Sequence, residues 1–135
     1  MVQLILDTNI LVTAARTGGP LPLVDRGDSI AVAAITIAEL SEGILASKTP
    51  ETKRERQEFL DKFLRAALVL AYTDTTAYHH AELLRHTRVT GQPRGAHDLI
   101  IAAHAKESGR TITTVDLKAR FSDLPGVKVR QPTSK

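Results

Sequence analysis

The chain of 135 residues has no cysteine and no tryptophan, and its aromatics are three Phe and two Tyr. Without cysteine there can be no disulfide, no thiolate zinc site and no cysteine nucleophile. The scarcity of aromatics argues against an extended base-stacking platform of the kind that single-strand binders lay along a groove. Long hydrophobic runs are also lacking, and the longest, residues 30–38, is too short to cross a bilayer. No basic segment precedes the first apolar run, so no signal peptide is expected, and a bacterial-type cytoplasm is the expected compartment. Neither a Ser–His dyad nor a glycine-rich phosphate loop is evident. There is no low-complexity tract, internal repeat or linker, so one small domain over residues 1–135 is expected.

What the chain does have is a set of acidic residues at the ends of apolar runs. Val2-Gln3-Leu4-Ile5-Leu6 is short and apolar, fits a buried strand, and ends at Asp7, with Thr8-Asn9 following as turn or cap residues. A second strand-like run, residues 29–33, leads to Thr36 and Glu39, whose S/T-x-x-E spacing predicts a capping box with Glu39 in the first helical turn. Gly95 ends a loop, and apolar positions 99, 102 and 103 then take helical spacing, which places Asp98 near a helix N-terminus. Residues 111–115 are mostly β-branched and strand-like, and they lead to Asp116 and a short helix over residues 117–121.

Strands alternating with helices predict an α/β fold with a mostly parallel central sheet, and ligands in such folds gather outside the carboxyl ends of the strands. Asp7, Glu39, Asp98 and Asp116 would converge there from distant parts of the chain. Two unit charges ~4 Å apart repel by roughly 4 kcal/mol at an effective dielectric near 20, so such a cluster calls for a cation or for protonation. Hard divalent ions that take oxygen ligands, Mg²⁺ or Mn²⁺, suit it best. Each acid by itself is equally well explained as a helix cap or a favourable charge at a helix N-terminus.

The segments Leu4-Ile5-Leu6-Asp7-Thr8-Asn9, Ile35-Thr36-Ile37-Ala38-Glu39-Leu40 with Gly43, His97-Asp98-Leu99-Ile100-Ile101-Ala102-Ala103, and Thr114-Val115-Asp116 followed by Phe121 and Leu124-Pro125-Gly126-Val127 resemble PIN-domain ribonucleases. Within that family they resemble the VapC toxins of bacterial toxin–antitoxin pairs. The resemblance implies a single PIN-like domain, and Asp7, Glu39, Asp98 and Asp116 as catalytic, metal-binding acids. Thr8, Asn9 and Thr114 would be polar support. It also implies Mg²⁺ or Mn²⁺ as cofactor, RNA as substrate, a VapB-type antitoxin as partner, and a homodimer without membrane attachment. Many members carry Asn where this chain has Asp116, and residues 48–95 match only in general helical character.

Eighteen Lys and Arg against fifteen Asp and Glu leave a net charge of +3. With four acids confined to one site, the remaining surface is more basic than that total, which fits a polyanionic substrate. Candidate phosphate contacts are Arg16, Arg88, Arg94 and Lys118, with Lys53, Arg54, Arg56, Arg85 and Arg120 as further choices. Residues 50–70 predict an amphipathic helix, polar through Glu58 and apolar at Phe59, Leu60, Phe63, Leu64, Ala67 and Leu68; it either packs into the core or meets a partner. His79, His80 and His86 are expected to be ordinary, partly exposed side chains on a helix over residues 75–90. His97 is expected to orient or pack the loop rather than bind metal.

The expected reaction is metal-assisted hydrolysis of RNA phosphodiesters. Three rivals remain. A haloacid-dehalogenase-like phosphatase needs a second Asp where Asn9 stands, and an HD-type phosphohydrolase, prompted by His97-Asp98, needs a mostly helical fold with more metal-binding histidines. A catalytically inactive PIN-like binding module would use the acids only as caps.

Overall fold

A computed structural model describes residues 1–133; the last two positions of the expected domain, 134 and 135, lie outside the described residues. Five strands form one parallel sheet: β1 (Gln3–Leu6), β2 (Ser29–Ala33), β3 (Leu68–Leu70), β4 (Thr111–Thr113) and β5 (Lys128–Arg130), in the order β3-β2-β1-β4-β5. Five helices cover it: α1 (Thr8–Thr17), α2 (Ala34–Leu45), α3 (Pro50–Leu64), α4 (Asp74–Thr90) and α5 (Ala96–Ser108), with two 3₁₀ turns, Leu117–Ala119 and Phe121–Asp123, between β4 and β5.

The central strand shows why the sheet forms here. Successive residues of β1 point to opposite faces, and both faces are apolar. Leu4 and Leu6 join Ile10, Leu11, Val32 and Phe63 on one side, while Ile5 joins Leu83, Leu99, Ile101, Ile112 and Phe121 on the other. Leu4, Ile5 and Leu6 are fully buried. Opposite the site, the buried Arg110 donates from Nη1 to the Leu4 and Ser29 carbonyls and so ties β4 to β1 and β2.

The register sets the position of the acids. Leu6 pairs with Thr113, and the Asp7 amide donates to the Thr113 carbonyl at 2.9 Å, so Asp7 and Thr114 leave the sheet side by side. Neighbours of β1 lie on either side, and the chain crosses from β3 to β4 through α4 and α5. The carboxyl ends of β1 and β4 therefore open onto the point where the strand order reverses.

Three local expectations are corrected. Helix α2 begins at Ala34, directly after β2, and its N-cap Ala33 makes no side-chain cap bond, so Thr36 and Glu39 form no capping box. Thr36 is fully buried inside the helix and Glu39 lies in its second turn, because the strand feeds the helix without the loop that a side-chain cap would close. The amphipathic helix ends at Leu64 rather than running to residue 70, since Leu68–Leu70 add β3 to the edge of β2, where ladder hydrogen bonds replace helical ones. The short helix after Asp116 is two 3₁₀ turns broken at Arg120, whose φ is 50°. Among the described residues no helix is long and apolar enough to cross a membrane.

Candidate functional site

Asp7 is the hub. It is 4% exposed and is the N-cap of α1, accepting the Thr8 amide on Oδ1 at 2.9 Å. Its Oδ2 accepts the Thr114 hydroxyl at 2.8 Å and the Asn9 amide at 3.1 Å. Thr114 is itself fully buried, and its Oγ1 accepts the Asp116 amide at 3.0 Å. One hydroxyl thus joins the ends of β1 and β4 and orients Asp7 relative to the Asp116 turn. Asn9 completes the bridge, its Oδ1 accepting the Val115 amide at 3.3 Å.

Glu39 reaches the same region from α2. Thr8 donates its hydroxyl to Glu39 Oε1 at 2.9 Å, with the Thr36 hydroxyl 3.1 Å away. His97 Nδ1 stands 3.5 Å from the other Glu39 oxygen, an ion pair when the imidazole is protonated. Asp98 enters on the first turn of α5. A Cβ on Gly95 would come within 3.0 Å of Asp98 Oδ2, so glycine at that position leaves the carboxylate room beside the helix end. Asp116 caps the first 3₁₀ turn, accepting the Lys118 amide at 2.9 Å.

The electrostatics show that the acids share one field. Burial pushes the Asp7 carboxyl up from 3.8 to about 6; the Thr114 and Thr8 hydrogen bonds oppose the rise, and the charges of Asp98 and Asp116 add to it. Asp98 is likewise raised, first by burial, then by Asp116 and Glu39, with His97 and Arg94 acting the other way. Loss of hydration and mutual repulsion both penalise a cluster of ionised carboxylates, and a cation relieves both.

Among the described residues no three His, Asp or Glu side chains stand close enough to hold a metal ion as a complete protein cage. An ion bound there would keep part of its water shell, which suits a small, hard and strongly hydrated cation. Mg²⁺ keeps several of its waters and is typically held by one or two carboxylates, with other acids reached through water. The all-oxygen donor set, with Asp7 fixed by three donors, suits such an ion and offers little to a softer one.

The candidate phosphate contacts divide. Arg16 is exposed at the C-terminal end of α1 on the rim of a recess that also contains Thr8 and Glu39, and Lys118 is exposed directly after Asp116. Arg88 is exposed on α4 and borders a different, shallower depression. Arg94 is placed otherwise: its side chain is only 3% exposed, and its Nη1 donates to the carbonyls of Ala119 (2.8 Å) and Arg120. It tethers the turn that carries Asp116 and stands near Asp98 rather than projecting toward a ligand. Sequence reasoning missed this clamp, and also the contact of Thr36 with Thr8, since each depends on a partner 25 or more residues away in the chain.

The sequence profile of the PIN domain matches residues 4–126. Over 127 residues the chain is 31% identical to ribonuclease VapC2 of Rickettsia felis, covering 90% of this chain and 92% of that protein. It is 27% identical over 132 residues to the tRNA(fMet)-specific endonuclease VapC of Shigella flexneri, covering 95% and 96%. The crystal structure of VapBC2 from Rickettsia felis bound to a promoter DNA fragment contains a chain with a TM-score of 0.85 and 28% identity, covering 98% of this chain and all of that one.

Proposed function

This chain belongs to the PIN-domain family, and from that premise we propose that it is a metal-dependent endoribonuclease, the toxin of a VapBC-type toxin–antitoxin pair. The observation that carries the chemistry is Asp7: a buried carboxylate at a strand end, held by three donors and raised to about 6 by burial, with the charges of Asp98 and Asp116 adding to the rise. Helix capping alone needs no such convergence, which weighs against the inactive binding module. Asn9 stands where a phosphatase of the haloacid-dehalogenase type needs its second Asp, and the parallel sheet departs from the helical fold of HD-type enzymes.

Mg²⁺, or Mn²⁺, would be held by Asp7 with Asp98, Glu39 and Asp116, directly or through water. When bound, the ion supplies the charge that acidifies an attacking water and stabilises the oxyanions of the phosphodiester under attack. The protein's own groups provide the positioning. Thr114 and Asn9 keep Asp7 in one rotamer, and Thr8 orients Glu39. Arg94 holds the turn that presents Asp116, and Arg16 and Lys118 lie where they would meet flanking phosphates.

As the partner we infer a VapB-type antitoxin, in keeping with the VapBC assembly that contains the similar Rickettsia felis chain, and homodimerisation follows the family's habit. An Arg or Lys of the antitoxin placed among the acids would pair with Asp7 or Glu39 and compete with metal.

The deciding experiment is cleavage of single-stranded RNA by wild type and Asp7→Asn, with Mg²⁺ and with EDTA. The wild type should cleave only with metal, and the substitution should cost about 100-fold or more in kcat/KM, roughly 2.7 kcal/mol of transition-state stabilisation. Wild-type cleavage by Asp7→Asn would remove Asp7 from the site.

A further inference from the structure

Beside the acids, between α1, α2 and α3, lies a recess of about 500 Å³ that shares Thr8 and Glu39 with the proposed metal site. We propose that it takes one unpaired nucleobase of the RNA strand, with Glu55 reading the edge of that base. The inference rests on the ribonuclease reading above and names how that site would choose its substrate.

Gly43 carries the first part of the case. It lies inside α2, where glycine is a poorer helix former than almost any other residue, and its φ is not positive. A Cβ built there meets nothing within 4 Å. Neither the backbone nor close packing calls for glycine at this position, but the side chain it lacks would project into open space on the wall of the recess. Its absence keeps the recess deep.

The facing wall supplies the chemistry. Thr52, Glu55 and Phe59 recur on α3 at i, i+3 and i+7 and line the recess together. Phe59, with Val12 and Leu40 opposite, gives an apolar slot suited to a flat ring. Glu55 also lines the recess, and an ionised carboxylate only accepts hydrogen bonds. It would pair with a base edge that presents N–H donors, and guanine, which offers two side by side on its Watson–Crick edge, fits best. Arg16 on the rim is exposed and placed for the phosphate that follows. RNA recognition of this kind acts on splayed, unstacked bases. An apolar protein side chain would fill the slot but leave the exposed Glu55 carboxylate to water, while the Thr52 hydroxyl already accepts from Thr49.

The test uses Gly43→Leu and Glu55→Gln with Mg²⁺ and a set of short single-stranded RNAs that differ at one nucleotide near the scissile bond. Gly43→Leu fills the recess while improving helix propensity, so it should melt at or above the wild-type temperature and keep its metal-induced shift. Its KM should rise by roughly tenfold or more with kcat little changed, as expected for lost substrate binding. Glu55→Gln should fold normally and lose a wild-type preference for guanine. Unchanged KM and base preference in both variants, while the wild type cleaves RNA, would overturn the base pocket and leave the ribonuclease reading standing. So would intact cleavage combined with lost binding of co-expressed antitoxin, which would assign the recess to the partner. A wild type that cleaves none of the RNAs with metal would sink both readings.

Discussion

Asp7 pays a physical cost for its position, and pH exposes it. With a folded pKa of about 6 against an ordinary 3.8, the native state binds more protons than the unfolded chain between these values. Stability is therefore fully present below about pH 4, falls as pH rises, and is diminished above pH 6 by on the order of 3 kcal/mol in the metal-free protein. Asp7→Asn escapes that loss, so without metal it should melt at or above the wild-type temperature at pH 8 and lose this advantage at pH 4. Thermal denaturation at the two pH values measures this, and a variant that melts well below wild type at pH 8 would contradict the burial penalty. The same shift couples metal to protons: Asp7 and Asp98, both raised, must ionise to bind, so metal affinity should fall as pH drops through 6 and binding should release protons. Calorimetry in buffers of different ionisation enthalpy reads the released protons directly. Thr114→Val keeps the shape but deletes the donor to Asp7 and the acceptor for the Asp116 amide. It should lower metal affinity or activity by about 10- to 100-fold, the usual effect of losing a group that orients a ligand.

Between elements, the arginines separate support from contact. Arg94 lies before α5 and clamps the 3₁₀ turns after β4 through two carbonyls. Arg94→Met should destabilise the fold by about 1–3 kcal/mol, because it leaves the part-buried Ala119 carbonyl without its charged donor. It should also weaken metal binding by loosening the turn at Asp116, whereas Arg88→Met, on the exposed face of α4, should do neither. Chemical denaturation and metal titration of the two variants separate these roles. Equal, negligible effects would return Arg94 to the pool of simple phosphate contacts. Strand β3 teaches a related lesson: Leu68 and Val69 remain 53% and 41% exposed, so the segment's strand state comes from pairing with β2 rather than from burial.

For the molecule as a whole, an unrestrained ribonuclease is harmful to its host. Expression of the wild type alone should arrest growth, expression of Asp7→Asn should not, and co-expression of the cognate antitoxin should restore growth and yield a stable complex with little cleavage activity. Colony counts after induction decide this; arrest that persists in Asp7→Asn would count against a nuclease cause. The net charge of +3 includes four acids gathered at one site, so the remaining surface carries a clear positive excess. RNA binding should accordingly weaken steeply with salt, in proportion to the phosphates neutralised. A flat salt dependence between low and physiological ionic strength would mean that Arg16 and Lys118 make no phosphate contacts.

Much of this protein was legible along the chain because its signals are local. An apolar run that stops at an acid followed by Thr-Asn marks a strand end and a helix start with no knowledge of neighbours, and so β1, α1 and Asp7 could be read directly. The β-branched run before Asp116 and the helical spacing after Asp98 are similar signals. Other features depend on contacts between distant segments, which a one-dimensional pattern does not encode. The Thr36–Glu39 spacing has the form of a capping box, but β2 runs straight into α2, and Thr36 packs beside Thr8 instead. The amphipathic pattern of α3 continues past Leu64, yet the edge of β2 captures Leu68–Leu70. Arg94 has the charge of a phosphate ligand, but burial against carbonyls 25 and 26 residues away makes it a clamp. Local periodicity decides which elements form; only their packing decides which polar side chains remain free to meet a ligand.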